Sequence, residues 1–230
     1  MVDGQRAGAK PGHPARDPQT GQALSKHGGT PTKIEVWFVH IGGPGLTSWS
    51  AWTFDLVDGE ETPRWLEHPV HRREVDAVAL PIDIPGQLTP LPYVLDAPSD
   101  QSMILRAEVS DWVNIIGFPF GESSAGYFAI WVKGAIASDM EIDHDQLPCF
   151  LIDSRTRAGQ SGSPVVAYAP PGPVTLRNGT LALQETSMVR LLGVYSGRIN
   201  RESDIGYVWK IAAVREILEN GVMGDTSISQ

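Results

Sequence analysis

The chain is nearly without cysteine. Cys149 is the only one in 230 residues, which excludes an intrachain disulfide and fits a reducing cytoplasm best. It is also short of positive charge. Eighteen Lys and Arg stand against 27 Asp and Glu, a net charge of −9, so no nucleic-acid partner is expected, because phosphate neutralisation needs clustered cations. No apolar run reaches the roughly 18 residues that a membrane-spanning helix needs. The N-terminus holds Gly, Pro and charge rather than the apolar core of a signal peptide. No repeat of fixed period is present. Histidine is absent after His144, which constrains any catalytic serine downstream of it.

What is present reads as short strands between turn residues. "KIEVWFVH" (33–40), "WTFDLVDG" (52–59), "EVDAVALPI" (74–82), "WVNIIGF" (112–118) and "GYFAIWVKGAIAS" (126–138) carry β-branched and aromatic weight. "PCFLID" (148–153), "SPVVAY" (163–168), "MVRLLGVYSG" (188–197) and "IGYVWK" (205–210) continue the pattern. Strands of this length between Gly and Pro clusters predict an all-β sandwich or barrel. One helix is predicted, in "WKIAAVREILEN", where Ile211, Val214, Ile217 and Leu218 share a face and Gly221 marks the stop. Residues 1–33, rich in Gly, Pro and Gln, are expected to be an exposed loop or a disordered start.

The stretch "RAGQSGSPVV" (157–166) sets Ser161 between small residues and a strand. It is not the G-x-S-x-G elbow of an α/β-hydrolase. The final glycine is missing, and that fold needs a histidine downstream of its serine. A turn of small residues is the plain alternative. The order His, Asp, Ser of another hydrolase class fits better. Asp76 stands upstream, entering an apolar segment where a carboxylate can be buried and paired. An Asp that satisfies turn amides at a strand start would look the same.

"GQSGSP" (159–164) resembles the G-x-S-G-G/S-P box around the nucleophile of trypsin-like serine peptidases. "VDAVALP" (75–81) is similar to the segment that carries their acid, and "LLGVYSGR" (191–198) to the strand lining their specificity pocket. "IIGFPFG" (115–121) resembles the strand that opens the second barrel in bacterial members. The resemblance runs in order from about residue 33 to about 220. It implies an all-β, two-barrel fold: the remainder of an N-terminal barrel over 34–100, a C-terminal barrel over 101–209 and a closing helix over 210–222. It further implies Ser161 as nucleophile, Asp76 as orienting acid, and the N–H groups of Gly159 and Ser161 as an oxyanion hole. No cofactor or metal is implied. The implied partner is a peptide or protein substrate, and nothing identifies a fusion domain.

A serine hydroxyl needs a base, and no histidine here has the family's [ST]-x-x-H context. His13 and His27 sit in loop-like stretches, and His40 ends a strand. His68 and His71 lie too near the acid, and their H-x-x-H spacing alone is a weak metal signal. "MVDGQRAG" and "DPQTGQAL" (17–24) resemble the loop that follows the catalytic histidine in bacterial members. On that alignment the base precedes Met1, the parent protein continues upstream, the first barrel lacks its opening strands, and this chain alone is inactive. Arg155, six residues before Ser161, falls where the family has the floor of its specificity pocket. Buried there, it would favour an acidic substrate side chain; turned outward, it would leave a small polar pocket. Tyr195, Ser196 and Gly197 would contact substrate. The rival class is a non-catalytic module that presents the same cleft for peptide recognition.

Overall fold

The computed structural model describes residues 10–11, 29–43, 46–86, 88, 92–93, 95, 104–200 and 202–225. Most of the expected N-terminal loop, with His13 and His27, lies outside the described residues. The chain divides into two units, one of 1–65, 80–90 and 223–230, the other of 66–79 and 91–222.

In the first unit β1 (Lys10–Pro11) pairs antiparallel with β2 (Gly29–Thr30). A long hairpin joins β3 (Lys33–Gly43) to β4 (Leu46–Asp55). Its aromatic content explains the pairing, since cross-strand aromatic pairs stabilise an antiparallel ladder. Ile34 faces Phe54, Val36 faces Trp52, and the Phe38 and Phe54 rings meet edge to face at 6.4 Å.

The second unit begins with two short paired strands, β5 (Leu66–Glu67) and β6 (Val78–Ala79). Its main body is a closed six-stranded barrel. The strands are β7 (Trp112–Gly117), β8 (Ile130–Ile136), β9 (Cys149–Ser154) and β10 (Pro164–Ala169). After a hairpin of β11 (Gly172–Thr175) and β12 (Leu181–Gln184) come β13 (Met188–Arg198) and β14 (Ile205–Lys210). The order around the barrel is β10-β13-β14-β9-β8-β7, closed by β7 on β10. Closure removes the free edges that an open sheet leaves exposed. Alternation puts Val113 and Ile115 of β7 inward, beside Ile136, Phe150, Ile152 and Val208. Val165 and Val166 are consecutive yet both fully buried. A bulge between them shifts the register against β13; Val165 and Ala167 belong to the barrel core, whereas Val166 is buried outside that cluster.

The helix α1 (Ile211–Asn220) follows β14 directly, and the two-residue strand β15 (Val222–Met223) comes after it. Ala213 and Ile217 are its buried residues. Leu218, assigned by spacing to the apolar face, is 50% exposed: it lies next to Ile217 but past the edge of the stripe that contacts the barrel. Gly221 ends the helix by close approach. A Cβ there would lie 2.2 Å from the Ile217 carbonyl oxygen and 2.9 Å from Leu66 Cβ.

The fold is therefore all-β with one closing helix, as the sequence predicts. Among the described residues a single barrel closes, built from strands between Trp112 and Lys210. The stretch 74–82, read as one buried strand, contributes only Val78–Ala79, and Val78 is 59% exposed. Its anchor is Val75, which packs with Cys149, Trp209 and Ile217 in a second small core. Among the described residues no helix is long and apolar enough to cross a membrane.

Candidate functional site

Residues 76–79, the turn before β10, β13 and α1 meet around a cavity of about 460 Å³. Asp76, Ser161 and Ser196 supply its polar groups, and Val194, Val214 and Ile217 part of its apolar wall. Each polar group arrives by a different device.

Asp76 is held through its neighbour. Val75 is buried in the small core and fixes the backbone, leaving the next side chain to face out. The Asp76 carboxylate is exposed rather than buried, because the strand expected to cover it is only two residues long. It is nevertheless paired: Ser196 Oγ donates to Asp76 Oδ2 at 2.7 Å, across 120 positions of sequence. Ser196 owes its direction to β13. A bulge between Tyr195 and Gly197 shifts the register against β14, so Tyr195 turns into the barrel and Ser196 out toward the acid.

Ser161 sits at the tip of the turn before β10. Gly159 and Gly162, with φ of +91° and +83°, let the chain reverse twice within four residues. The turn is pinned from both sides. Gly162 N–H donates to the Tyr195 carbonyl at 2.7 Å, and Tyr195 N–H to the Ser163 carbonyl at 2.8 Å. Beneath it lies Gln160, 0% exposed, whose Oε1 accepts the Arg157 N–H at 2.8 Å. The Ser161 side chain is exposed. Neither the Gly159 N–H nor the Ser161 N–H donates to a partner among the described residues. Of the two, Ser161 lines the cavity and Gly159 does not.

Other expected residues fall elsewhere. Arg155 is exposed and does not line the cavity. The period of β9 sends Ile152, Ser154 and Thr156 inward and the residues between them outward, so the acidic-pocket reading loses its cation. Tyr195 is 2% exposed, a core residue rather than a substrate contact. Its hydroxyl bonds Thr156 Oγ1 at 2.5 Å, and burial pushes its pKa above the ordinary value. Gly197 is half-buried, with open space at its Cβ position.

No histidine lines the cavity among the described residues. His40 belongs to the first unit's hairpin, with Nε2 2.7 Å from Ser50 Oγ. His68 is 1% exposed and structural. Its Nδ1 accepts from the Val70 and His71 amides at 3.3 and 3.1 Å, which leaves the proton on Nε2, 3.2 Å from Glu216 Oε2 of α1. The 66–79 segment thus lies beside the helix here, with Nε2 near the Glu216 carboxylate but without a hydrogen bond of good geometry to it. Among the described residues no group of three or more His, Cys, Asp and Glu is placed to hold a metal. Cys149 is no rival nucleophile: burial pushes its thiol up to about 11.

His68 gives this anchor a pH dependence. Burial lowers its pKa, helped by His71 and opposed by Glu216. Below its unperturbed pKa of about 6.5, the folded protein binds fewer protons than the unfolded chain. The His68 contribution is therefore complete above that pH and declines below it. Melting temperatures taken from about pH 8 down to about pH 5 should begin to fall near that pKa of about 6.5. His68→Asn, which keeps an acceptor but does not titrate, should flatten that part of the curve. An equal slope in the variant would assign the titration to another group.

The signals for Gln160, Thr156 and the His68–Glu216 contact were absent from the motif reading, because each is set by burial rather than by spacing. No family model matches the chain, and neither the curated proteins nor the solved structures returned a match.

Proposed function

We propose that the cavity is the active centre of a trypsin-like serine endopeptidase, in a two-barrel fold, with Ser161 as nucleophile and Asp76 as the orienting acid. The observation that supports this most is the 2.7 Å bond from Ser196 Oγ to Asp76 Oδ2, in the cavity that Ser161 also lines. In the proposed reaction Ser161 Oγ attacks the peptide carbonyl carbon and its proton passes to an imidazole base. The Gly159 and Ser161 N–H groups receive the developing oxyanion. The C–N bond then breaks, the amine leaves with that proton, and water hydrolyses the acyl-enzyme. The base lies outside the residues that line the cavity.

A fluorophosphonate probe tests this, by phosphonylating Ser161 Oγ with loss of fluoride. Labelling with and without added imidazole should mark Ser161, increase with imidazole, and vanish in Ser161→Ala. One observation favours a second reading, a peptide-binding module without catalysis: no histidine stands among the cavity-lining residues. Saturable peptide binding without labelling under either condition would select that reading.

A further inference from the structure

Away from Ser161, the second unit carries another cavity, of about 510 Å³, within the range of roughly 300–1,000 Å³ usual for small-molecule sites. Three guanidinium groups line it, from Arg106, Arg177 and Arg190, together with the carboxylates of Glu108, Asp139 and Glu141. Two of the cations are paired. Arg177 Nη2 lies 2.9 Å from Glu141 Oε1. Arg106 Nη1 lies 3.6 Å from Glu108 Oε2, and its Nη2 3.7 Å from Asp111 Oδ1.

Arg190 is different. It is half-buried on β13, and its one hydrogen bond among the described residues runs from Nη1 to the Leu105 carbonyl at 3.0 Å. No carboxylate among the described residues pairs with it. Arg106 adds a second unmet donor, since its Nε is buried without an acceptor among the described residues. Burial, then the neighbouring Arg177, lower the Arg190 pKa from its ordinary value, and the Glu141 carboxylate, which is bonded to Arg177, offsets this only in part. A guanidinium taken partly out of water beside a like charge is costly unless an anion joins it. Its planar fork of donors matches a carboxylate.

We propose that this cavity binds a small zwitterionic carboxylate, of amino-acid or dipeptide size, with its carboxylate on Arg190. The lining charges cancel, three against three, so a net-neutral ligand enters without a charge imbalance. Its ammonium group meets the Glu108 and Asp139 side. Met140 and Val109, the latter 52% exposed, offer an apolar wall to the rest of the ligand. A phosphate dianion is disfavoured, because its second charge would face the same three carboxylates.

NMR titration of the full chain tests this, following the Arg190 Nε and Val109 amide signals with glycylglycine, acetate and inorganic phosphate as probes. Glycylglycine should give saturable shifts, acetate should bind more weakly and phosphate most weakly. Arg190→Gln should weaken glycylglycine at least about tenfold, the loss expected for one charge-assisted pair. Glu141→Gln, which removes the carboxylate competing for Arg177, should strengthen acetate binding. The proposal falls if no probe saturates, if phosphate binds most tightly, or if Arg190→Gln keeps its affinity. Should Arg190→Gln not fold, Glu141→Gln decides, and unchanged acetate affinity overturns the site.

Discussion

Gly159→Ala is expected to unsettle the turn that presents Ser161 far more than Gly162→Ala, although both glycines have positive φ. At either position an alanine pays for the left-handed backbone with about 1–2 kcal/mol. At Gly162 nothing lies within 4 Å of the added Cβ, so the conformational cost stands alone. At Gly159 the Cβ would lie 2.4 Å from the Phe118 carbonyl oxygen and 3.1 Å from the Gly121 amide nitrogen. Both are backbone atoms of the segment running into the Pro119–Gly121 turn, itself held by the Phe120 N–H to Ala158 carbonyl bond. Neither moves as a side chain tip would. With roughly 1–3 kcal/mol for the overlap, Gly159→Ala should lose about 3 kcal/mol in urea denaturation. If the proposed function holds, fluorophosphonate labelling should also fall by about a hundredfold, since a misdirected oxyanion donor costs that much. Equal stability loss in the two variants would mean that the turn relaxes around the new methyl group.

The second large effect lies in the barrel wall. Gly193 on β13 pairs with Val165 on one side and Lys210 on the other. A Cβ there would sit 1.9 Å from the Trp209 carbonyl oxygen and 2.9 Å from Val208 Cγ1. Relief requires β13 and β14 to separate where the barrel core is fully packed, with Val165 and Val208 both at 0% exposure. Gly193→Ala should therefore destabilise the chain by about 3 kcal/mol or more, at the upper end for a one-methyl insertion. Gly197→Ala, four residues on and facing open space, should change stability by less than about 1 kcal/mol. Chemical denaturation of the pair checks this, and matched midpoints would show that the wall accommodates the methyl group.

Much of the barrel was legible in the sequence. "WVNIIGF" became Trp112–Gly117 and "IGYVWK" became Ile205–Lys210, because β-branched and aromatic runs between turn residues have little alternative to a strand. The hairpin of β11 and β12 went unread, though "VTLRNGTLAL" carries its signal. Asn178-Gly179 stands between alternating apolar residues, and Gly179 has a φ of +83°. The turn glycines at 159 and 162 were readable because positive φ demands that residue. The exposed Asp76 was not, since apolar neighbours suggested a covering strand. Val75 alone provides the anchor, and which of two adjacent residues turns inward depends on packing against Trp209 and Ile217. Tyr195 was placed at the substrate by the resemblance of "LLGVYSGR" to a pocket-lining strand, which does not say which side chains of that strand turn inward. Only the Thr156 hydroxyl, 39 residues away, makes a buried tyrosine acceptable there. The Arg190 cavity assembles cations from three distant segments, so no local pattern announces it.

The contact between Ser196 and Asp76 spans 120 positions, and this bears on the order of folding. Loop closure over such a distance is entropically unfavourable before intervening structure forms. Neighbouring strands such as β7 and β8, or β13 and β14, can pair first at small separations. The acid and its partner are expected to meet only after β13 has joined the wall and the 66–79 segment has docked on Trp209 and Ile217. On this reasoning the site forms late, a prediction that exchange kinetics can check. In pulse-labelling hydrogen exchange the amides of β13 and β14 should gain protection before that of Ala77, whose N–H bonds the Val75 carbonyl at 2.8 Å.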